Sequence, residues 1–195
     1  MFQKTISLLA KHGGDGMNPI DCTRIKRILV SRTDRIGDLV LSTPVFRAIK
    51  TKYPNGHLAV MVFKETASLV SGNPYVDQVI VYDKKGIHAS WWKTFLFGLG
   101  LRKEHFDLAI HLHPTNRVHF ISWLAGIPIR IGYQSKNHSF LTHAIEEKKW
   151  QGKYHEAEYN FDLLAPLGIR CPDRLETFFP SSRISITIKI LSLCK

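Results

Sequence analysis

Two carboxylates and a glycine in the segment SRTDRIGDLVLSTP, residues 31–44, are the groups in this chain best placed for acid–base chemistry. Asp34, Gly37 and Asp38 follow an apolar run, Arg27-Ile28-Leu29-Val30-Ser31. A helical spacing of apolar residues (Leu39, Val40, Val45, Phe46, Ile49) starts just after Asp38. A carboxylate at such a junction has two uses. It can cap the new helix, which stabilises by about 1 kcal/mol. In a polar loop it can instead take the proton from a hydroxyl as that hydroxyl attacks. For a lone Asp at a helix start, capping is the commoner role. Here Thr33, Asp34 and Arg35 crowd further polar groups into the same turn, and Gly37 lets a ligand approach the backbone. Both features favour a site.

Cations supply the second set of candidates. Lys64, Lys84, Lys85 and Arg117 each stand shortly after an apolar run, in loops polar enough for a partly anionic ligand, although a pair such as Lys84-Lys85 more commonly marks a solvated loop. His111 and His113 lie two apart and share a strand face. With no acid or cysteine nearby to complete a ligand set, they argue for no metal, and His113 is expected to line a pocket at the strand end. Gly98-Leu99-Gly100 begins like a dinucleotide fingerprint, but Lys103 stands at the third glycine position and a helical pattern precedes it. No GxxxxGK[ST] segment exists, which excludes a P-loop. Trp91-Trp92 is of a kind used mostly in core or interface packing, with lipid contact the rarer use.

The chain has 195 residues, enough for one α/β domain. At 44% hydrophobic and 22% charged, it is not a disordered composition. Lys and Arg outnumber Asp and Glu by 27 to 16, a net +11 that favours anionic partners. Those include phosphorylated sugars, nucleotides, nucleic acid and acidic membrane surfaces. Nucleic-acid binding calls for a basic stripe interleaved with exposed aromatics. Here the charges are dispersed and most aromatics occupy apolar periodic positions, so no nucleic acid is expected. A non-enzymatic basic module binding anionic polymer, nucleic acid or a membrane surface is the rival function, marked by salt-sensitive binding to generic DNA. Cys22, Cys171 and Cys194 form no CxxC pair, in keeping with a reducing cytoplasm. Residues 1–25 read as an N-terminal extension, whose apolar stretch Ile6 to Ala10 is too short for a signal-peptide core or a membrane span.

The elements that position these groups follow from the apolar runs. Strands are predicted over Arg27–Ser31, Leu58–Phe63, Gln78–Tyr82, Asp107–Leu112 and Ile129–Tyr133. Helices are predicted after Asp38 up to Pro54-Asn55-Gly56, and over Thr66–Ser71, Trp91–Lys103, Val118–Ala125 and Glu156–Leu167. Continuous apolar strands alternating with helices predict an α/β fold, a Rossmann-like parallel sheet of at least five strands with helices on both faces. Ligands of such sheets bind at the carboxyl ends of the strands. The loops that matter are then Arg32–Asp38, Lys64–Glu65, Asp83–Gly86, His113–Arg117 and Gly132–His138.

The stretch RTDRIGDLVLSTPVFRAIKTKYPNGHLAVMVFKETASLVSGNPYVDQVIVYD, with KYHEAEYNFDLLAPLGI further on, resembles the N-terminal domain of glycosyltransferase family 9, the lipopolysaccharide heptosyltransferases. The likeness runs from about Arg27 to Pro180. It implies the N-terminal half of a GT-B fold, with a Rossmann-like acceptor-side domain over 26–180 and a second domain that binds the donor ADP-heptose. It further implies inverting transfer to the phosphorylated inner core at the inner face of the cytoplasmic membrane, with neither metal nor cofactor. Asp38 is then the catalytic base, and Gly37 keeps the approach open. Thr33, Asp34, Arg35, Lys64, Lys84, Lys85, His113 and Arg117 bind substrate, while His155 and Glu156 shape the interdomain edge. The tail SSRISITIKILSLCK, 181–195, leaves no room for a donor domain. The sequence therefore reads as a truncated, frameshifted or excised half that is inactive alone. The tail's alternating isoleucines suggest a strand in search of a sheet edge.

Overall fold

A computed structural model describes residues 20–134, 138–147, 152, 155–172, 174–178 and 185–189. Six strands form one sheet: β1 (Arg27–Arg32), β2 (His57–Val62), β3 (Gln78–Val81), β4 (Leu108–His111), β5 (Ile129–Tyr133) and β6 (His143–Ile145). Their order is β3-β2-β1-β4-β5-β6 and every pairing is parallel. The predicted α/β, Rossmann-like sheet is present, one strand wider than the minimum. The sixth strand has only three residues, His-Ala-Ile, and so carries no apolar run to announce it.

The strand pleat divides the core in two. Ile28 and Val30, Leu58, Val60 and Val62, and Leu108 and Ile110 face one way. There they meet Val45, Phe46 and Ile49 of α2 (Thr43–Lys52) and Phe161 of α5 (Glu156–Asp162). Leu29, Ala59, Met61 and Ala109, one position out of phase, face the opposite layer. That layer is built by α3 (Trp91–Gly100) and α4 (Asn116–Leu124) and contributes Val118 and Ile121. Gly98 permits a close crossing of these two helices, because a Cβ there would come within 3.0 Å of Leu124 Cβ and 3.3 Å of the Ile121 carbonyl. Gly98 of Gly98-Leu99-Gly100 therefore serves helix packing, while a Cβ at Gly100 would meet nothing within 4 Å. The helix predicted after Asp38 is divided into α1 (Ile36–Val40) and α2, interrupted at Leu41-Ser42 where Pro44 starts a new first turn.

Under α4 lie two buried histidines, their rings 4.9 Å apart. His111 lies 2.7 Å from Ser31 Oγ and 2.9 Å from Ser122 Oγ, so both ring nitrogens are engaged. His119 is fully buried, and neither ring nitrogen finds a hydrogen-bond partner among the described residues. Burial pushes its pKa down from 6.5 to about 4. Between those values the unfolded chain binds a proton that the folded chain refuses, so acid erodes stability through this residue. His119→Phe is accordingly expected to raise the melting temperature, and by more near ~pH 5 than near ~pH 8. An equal rise at both would show that the proton is not involved.

The segment 185–189 does form a strand, β8. It pairs antiparallel with β7 (Arg174–Phe178) in a separate two-stranded sheet and does not add to an edge of the main one. The rest of the tail and residues 1–19 of the N-terminal extension lie outside the described residues. Among the described residues no helix is long and apolar enough to cross a membrane.

Candidate functional site

In the order β3-β2-β1-β4-β5-β6, the chain leaves β1 toward one edge and β4 toward the other. The crevice between their carboxyl ends is where open α/β sheets of this kind hold ligands. The loops after β1 and β4 meet there: His113 Nδ1 lies 3.4 Å from Asp34 Oδ2. The pleat then separates two sites around this crevice. Arg32 continues the phase of Ile28 and Val30 and enters the α2–α5 side. Thr33 has the opposite phase and lines a cleft on the α3–α4 side.

On the first side, a buried guanidinium gathers three carboxylates. Arg32, only 2% exposed, donates from Nε to Asp34 Oδ1 at 2.9 Å and from Nη2 to Glu156 Oε1 at 3.1 Å. Its Nη2 also lies 3.6 Å from Asp38 Oδ1. Its Nη1 donates to the Leu112 carbonyl at 2.9 Å and to Asn160 Oδ1 at 3.0 Å. Asn160 in turn donates through Nδ2 to Ser42 Oγ at 3.3 Å, and Ser42 donates to the Asp38 carbonyl at 2.7 Å. Asp38 thus stands on a short helix pinned from both ends. One positive charge cannot neutralise three negative ones. Burial, with Asp38 and Glu156 adding repulsion, lifts the Asp34 pKa from 3.8 to about 6 against the pull of Arg32.

The sign of the resulting pH effect is fixed. Between 3.8 and about 6 the folded chain holds a proton that the unfolded chain has lost, so this carboxyl removes stability as pH rises. The melting temperature of the natural chain minus that of Asp34→Asn should therefore fall as pH goes from about 4 to about 6, then stay level. A difference that is flat across that window would contradict the assignment.

Asp38 does not cap the helix. The N-cap of α1 is Arg35, which makes no side-chain cap bond, and Asp38 sits within the first turn with its carboxylate toward Arg32. The site-bearing alternative gains from this, since 30% of the Asp38 side chain remains open to solvent. A Cβ added at Gly37 would meet nothing within 4 Å. Gly37 is therefore not needed for a strained turn and borders open space.

On the second side, an open cleft of about 610 Å³ is lined by Thr33, Phe63, Lys84, Lys85, Trp91 and Arg117, among others. Its cations are propped on aromatic rings: Lys84 Nζ lies 5.3 Å from the centre of Phe63, and the Arg117 guanidinium 4.6 Å from that of Trp91. Arg117 Nη1 also donates to the Ala89 carbonyl at 3.2 Å. The turn carrying Lys84 and Lys85 is folded by Asp83, whose carboxylate accepts from the Gly86 and Ile87 amides. A Cβ at Gly86 would come within 2.3 Å of that carboxylate.

The expected site residues thus divide. Thr33, Lys84, Lys85 and Arg117 come together in the cleft. Asp34, Asp38, Glu156 and His113 gather around Arg32 or at its edge. Arg35 is exposed at the start of α1. Lys64 opens a 3₁₀ turn after β2; the Asp83 carboxyl is held below the usual range by the Gly86 amide first, with the Lys64 charge a smaller contribution. His155 serves locally: it caps α5, accepting from the Ala157 amide while Glu158 accepts from the His155 amide. Among the described residues no group of three His, Cys, Asp or Glu is arranged to hold a metal ion. Of the loop Gly132–His138, residues 135–137 lie outside the described residues. Arg32 and Asn160 were not among the expected site residues. The only signal was a cation ending an apolar strand.

No protein-family model matches the chain. Two curated relatives are each 28% identical over 141 residues. One is a Haemophilus influenzae protein whose name marks it as a candidate glycosyltransferase (72% of this chain, 40% of its own length). The other is lipopolysaccharide heptosyltransferase 3 of Escherichia coli (68% of this chain, 40% of its own length). Among solved structures, a glycosyltransferase family 9 protein from Veillonella parvula superposes with a TM-score of 0.69 at 26% identity, over 79% of this chain and 44% of that one. The Escherichia coli heptosyltransferase WaaC superposes with a TM-score of 0.62 at 19% identity, covering 75% of this chain and 50% of its own, and speaks for the fold alone. The chain therefore resembles part of the family 9 glycosyltransferases and heptosyltransferases in sequence and in fold. It spans about 40% of the length of the curated relatives it matches.

Proposed function

We propose that residues 26–180 form the acceptor-side domain of an inverting ADP-heptose:lipopolysaccharide heptosyltransferase. Asp38 is its general base, and it works in the cytoplasm at the inner face of the membrane. The observation that carries this reading is the half-open Asp38 carboxylate, fixed by a buried arginine at the switch-point crevice and flanked by a cationic cleft. In the proposed step, an acceptor hydroxyl oxygen bonds to the anomeric carbon of the donor as the bond from that carbon to the ADP oxygen breaks. The hydroxyl proton passes to an Asp38 oxygen, and ADP departs. Lys84, Lys85 and Arg117, with Lys64 at the rim, hold the phosphates of the inner-core acceptor. Glu156 and His155 start α5 beside the reacting edge. By the resemblance, a second domain would hold the donor diphosphate, and this chain spans about 40% of the length of the curated relatives. Alone, the chain is expected to bind acceptor and transfer nothing.

Calorimetric titration with phosphorylated inner-core oligosaccharide tests the binding half of the reading. Saturable binding is expected, weakened at least ~10-fold in the Lys84→Glu, Arg117→Glu double variant, because each charge-assisted phosphate contact is lost and replaced by repulsion. Absence of sugar binding, together with a steep salt dependence for duplex DNA, would favour the non-enzymatic basic module instead.

A further inference from the structure

α3 is apolar on both faces. Thr94 and Gly98 are buried and Phe97 packs on the core, while Trp91 (56%), Trp92 (67%) and Leu96 (50%) are open to solvent. Large apolar side chains exposed together need an occupant. The exposure continues beyond the helix. Trp91 lies edge-on to Phe120, Phe120 stacks on Trp123, and Phe140 meets both Phe120 and Trp123, all with ring centres 5.4–6.0 Å apart. This aromatic ridge begins at the cleft, since Trp91 is also one of its walls. Charge is one-sided as well: residues 84–103 hold five cations (Lys84, Lys85, Lys93, Arg102 and Lys103), and the two acids that bracket them are engaged, Asp83 by the Gly86 amide and Glu104 by Arg27.

We propose that the face formed by α3, α4 and the turn at 138–140 docks on an anionic phospholipid bilayer. Trp92 and Leu96 would enter the headgroup boundary, and Lys93, Arg102 and Lys103 would meet lipid phosphates. Tryptophan beside Lys and Arg is the composition of membrane interfaces, where an amphipathic ring sits at headgroup level and cations gain from the negative leaflet. A second copy fits poorly. A self-complementary contact would set this face's cations against their own kind with no acid between them. Docking in this way would lay the cleft mouth, bordered by Trp91 and Arg117, against the lipid surface. An acceptor anchored in that surface would enter without leaving it. That last consequence rests on the function proposed above, whereas the docking itself does not.

Flotation of the full chain with phosphatidylcholine vesicles, with and without phosphatidylglycerol, tests the docking. Binding is expected only to the anionic vesicles, with a blue shift of tryptophan emission. Trp92→Ser combined with Leu96→Ser should weaken it at least ~10-fold with an unchanged melting temperature. Lys93→Glu combined with Lys103→Glu should weaken it and flatten its salt dependence. Anionic-vesicle binding that is absent, or equal in all variants, would overturn the proposal. So would a concentration-dependent dimer abolished by Trp92→Ser, which would assign the face to a second copy. Neither Trp92 nor Leu96 lines the cleft, so soluble oligosaccharide binding should survive their replacement. Loss of vesicle binding alone rejects the docking, and loss of oligosaccharide binding in the natural chain rejects the proposed function.

Discussion

Arg32→Met is expected to lower the unfolding free energy by about 3–5 kcal/mol, the scale for removing one partner from a buried charge network. Methionine matches the stem of arginine but leaves Asp34 and Glu156 without their cation, and the Leu112 carbonyl and Asn160 Oδ1 without a donor. An exposed ion pair would cost ~1 kcal/mol or less. The 2% exposure of Arg32 is what sets the larger figure. Urea unfolding measures it directly. Adding Asp34→Asn to Arg32→Met should return part of the loss, because one uncompensated carboxylate is then gone. A loss under ~1 kcal/mol, or no rescue, would mean that water reaches the cluster and that Asp38 is less firmly held than its contacts indicate.

The second large effect concerns rate. In a transferase assembled from this chain and the donor-side portion of a full-length relative, Asp38→Asn should lower turnover by ~10²–10⁴-fold, the usual weight of general base catalysis. Asparagine keeps the shape but cannot accept the proton. Stability should barely change, by roughly 0.3–1 kcal/mol, since the residue lies in a first helical turn without a cap bond and one of three crowded carboxylates is neutralised. A small stability change beside a large rate change is the signature of a catalytic base and not of a structural carboxylate.

The fold was legible because its signals are local. Leu29 and Met61 on one face, and Val30 and Val60 on the other, give strands buried on both sides, and the intervening helices force parallel pairing. What local pattern could not show was long-range. β6 is defined by pairing with β5 and not by its own three residues. The break between α1 and α2 had a local signal in Pro44, whereas the contact of Ser42 with Asn160 at that break forms only in the fold. The site was legible in its types but not in its partition. Alternation along β1 sends Arg32 and Thr33 to opposite sides of the sheet. That separates the carboxylates from the cations of the cleft, although Thr33 and Asp34 are neighbours in the chain. Arg32 itself was missed because an arginine closing a strand looks like an edge charge, until Glu156 and Asn160 arrive from more than a hundred residues away.

The role proposed for Asp38 is to accept the proton from a sugar hydroxyl bound at this crevice. Its most direct test is ADP release by the assembled transferase from ADP-heptose and phosphorylated inner-core acceptor, measured for the natural sequence and for Asp38→Asn, with both melting temperatures recorded. Acceptor-dependent ADP release is expected to fall at least ~10²-fold in the variant while the melting temperature and acceptor affinity hold. Equal turnover in the two proteins, with the variant melting lower, would contradict it and leave Asp38 a structural acid.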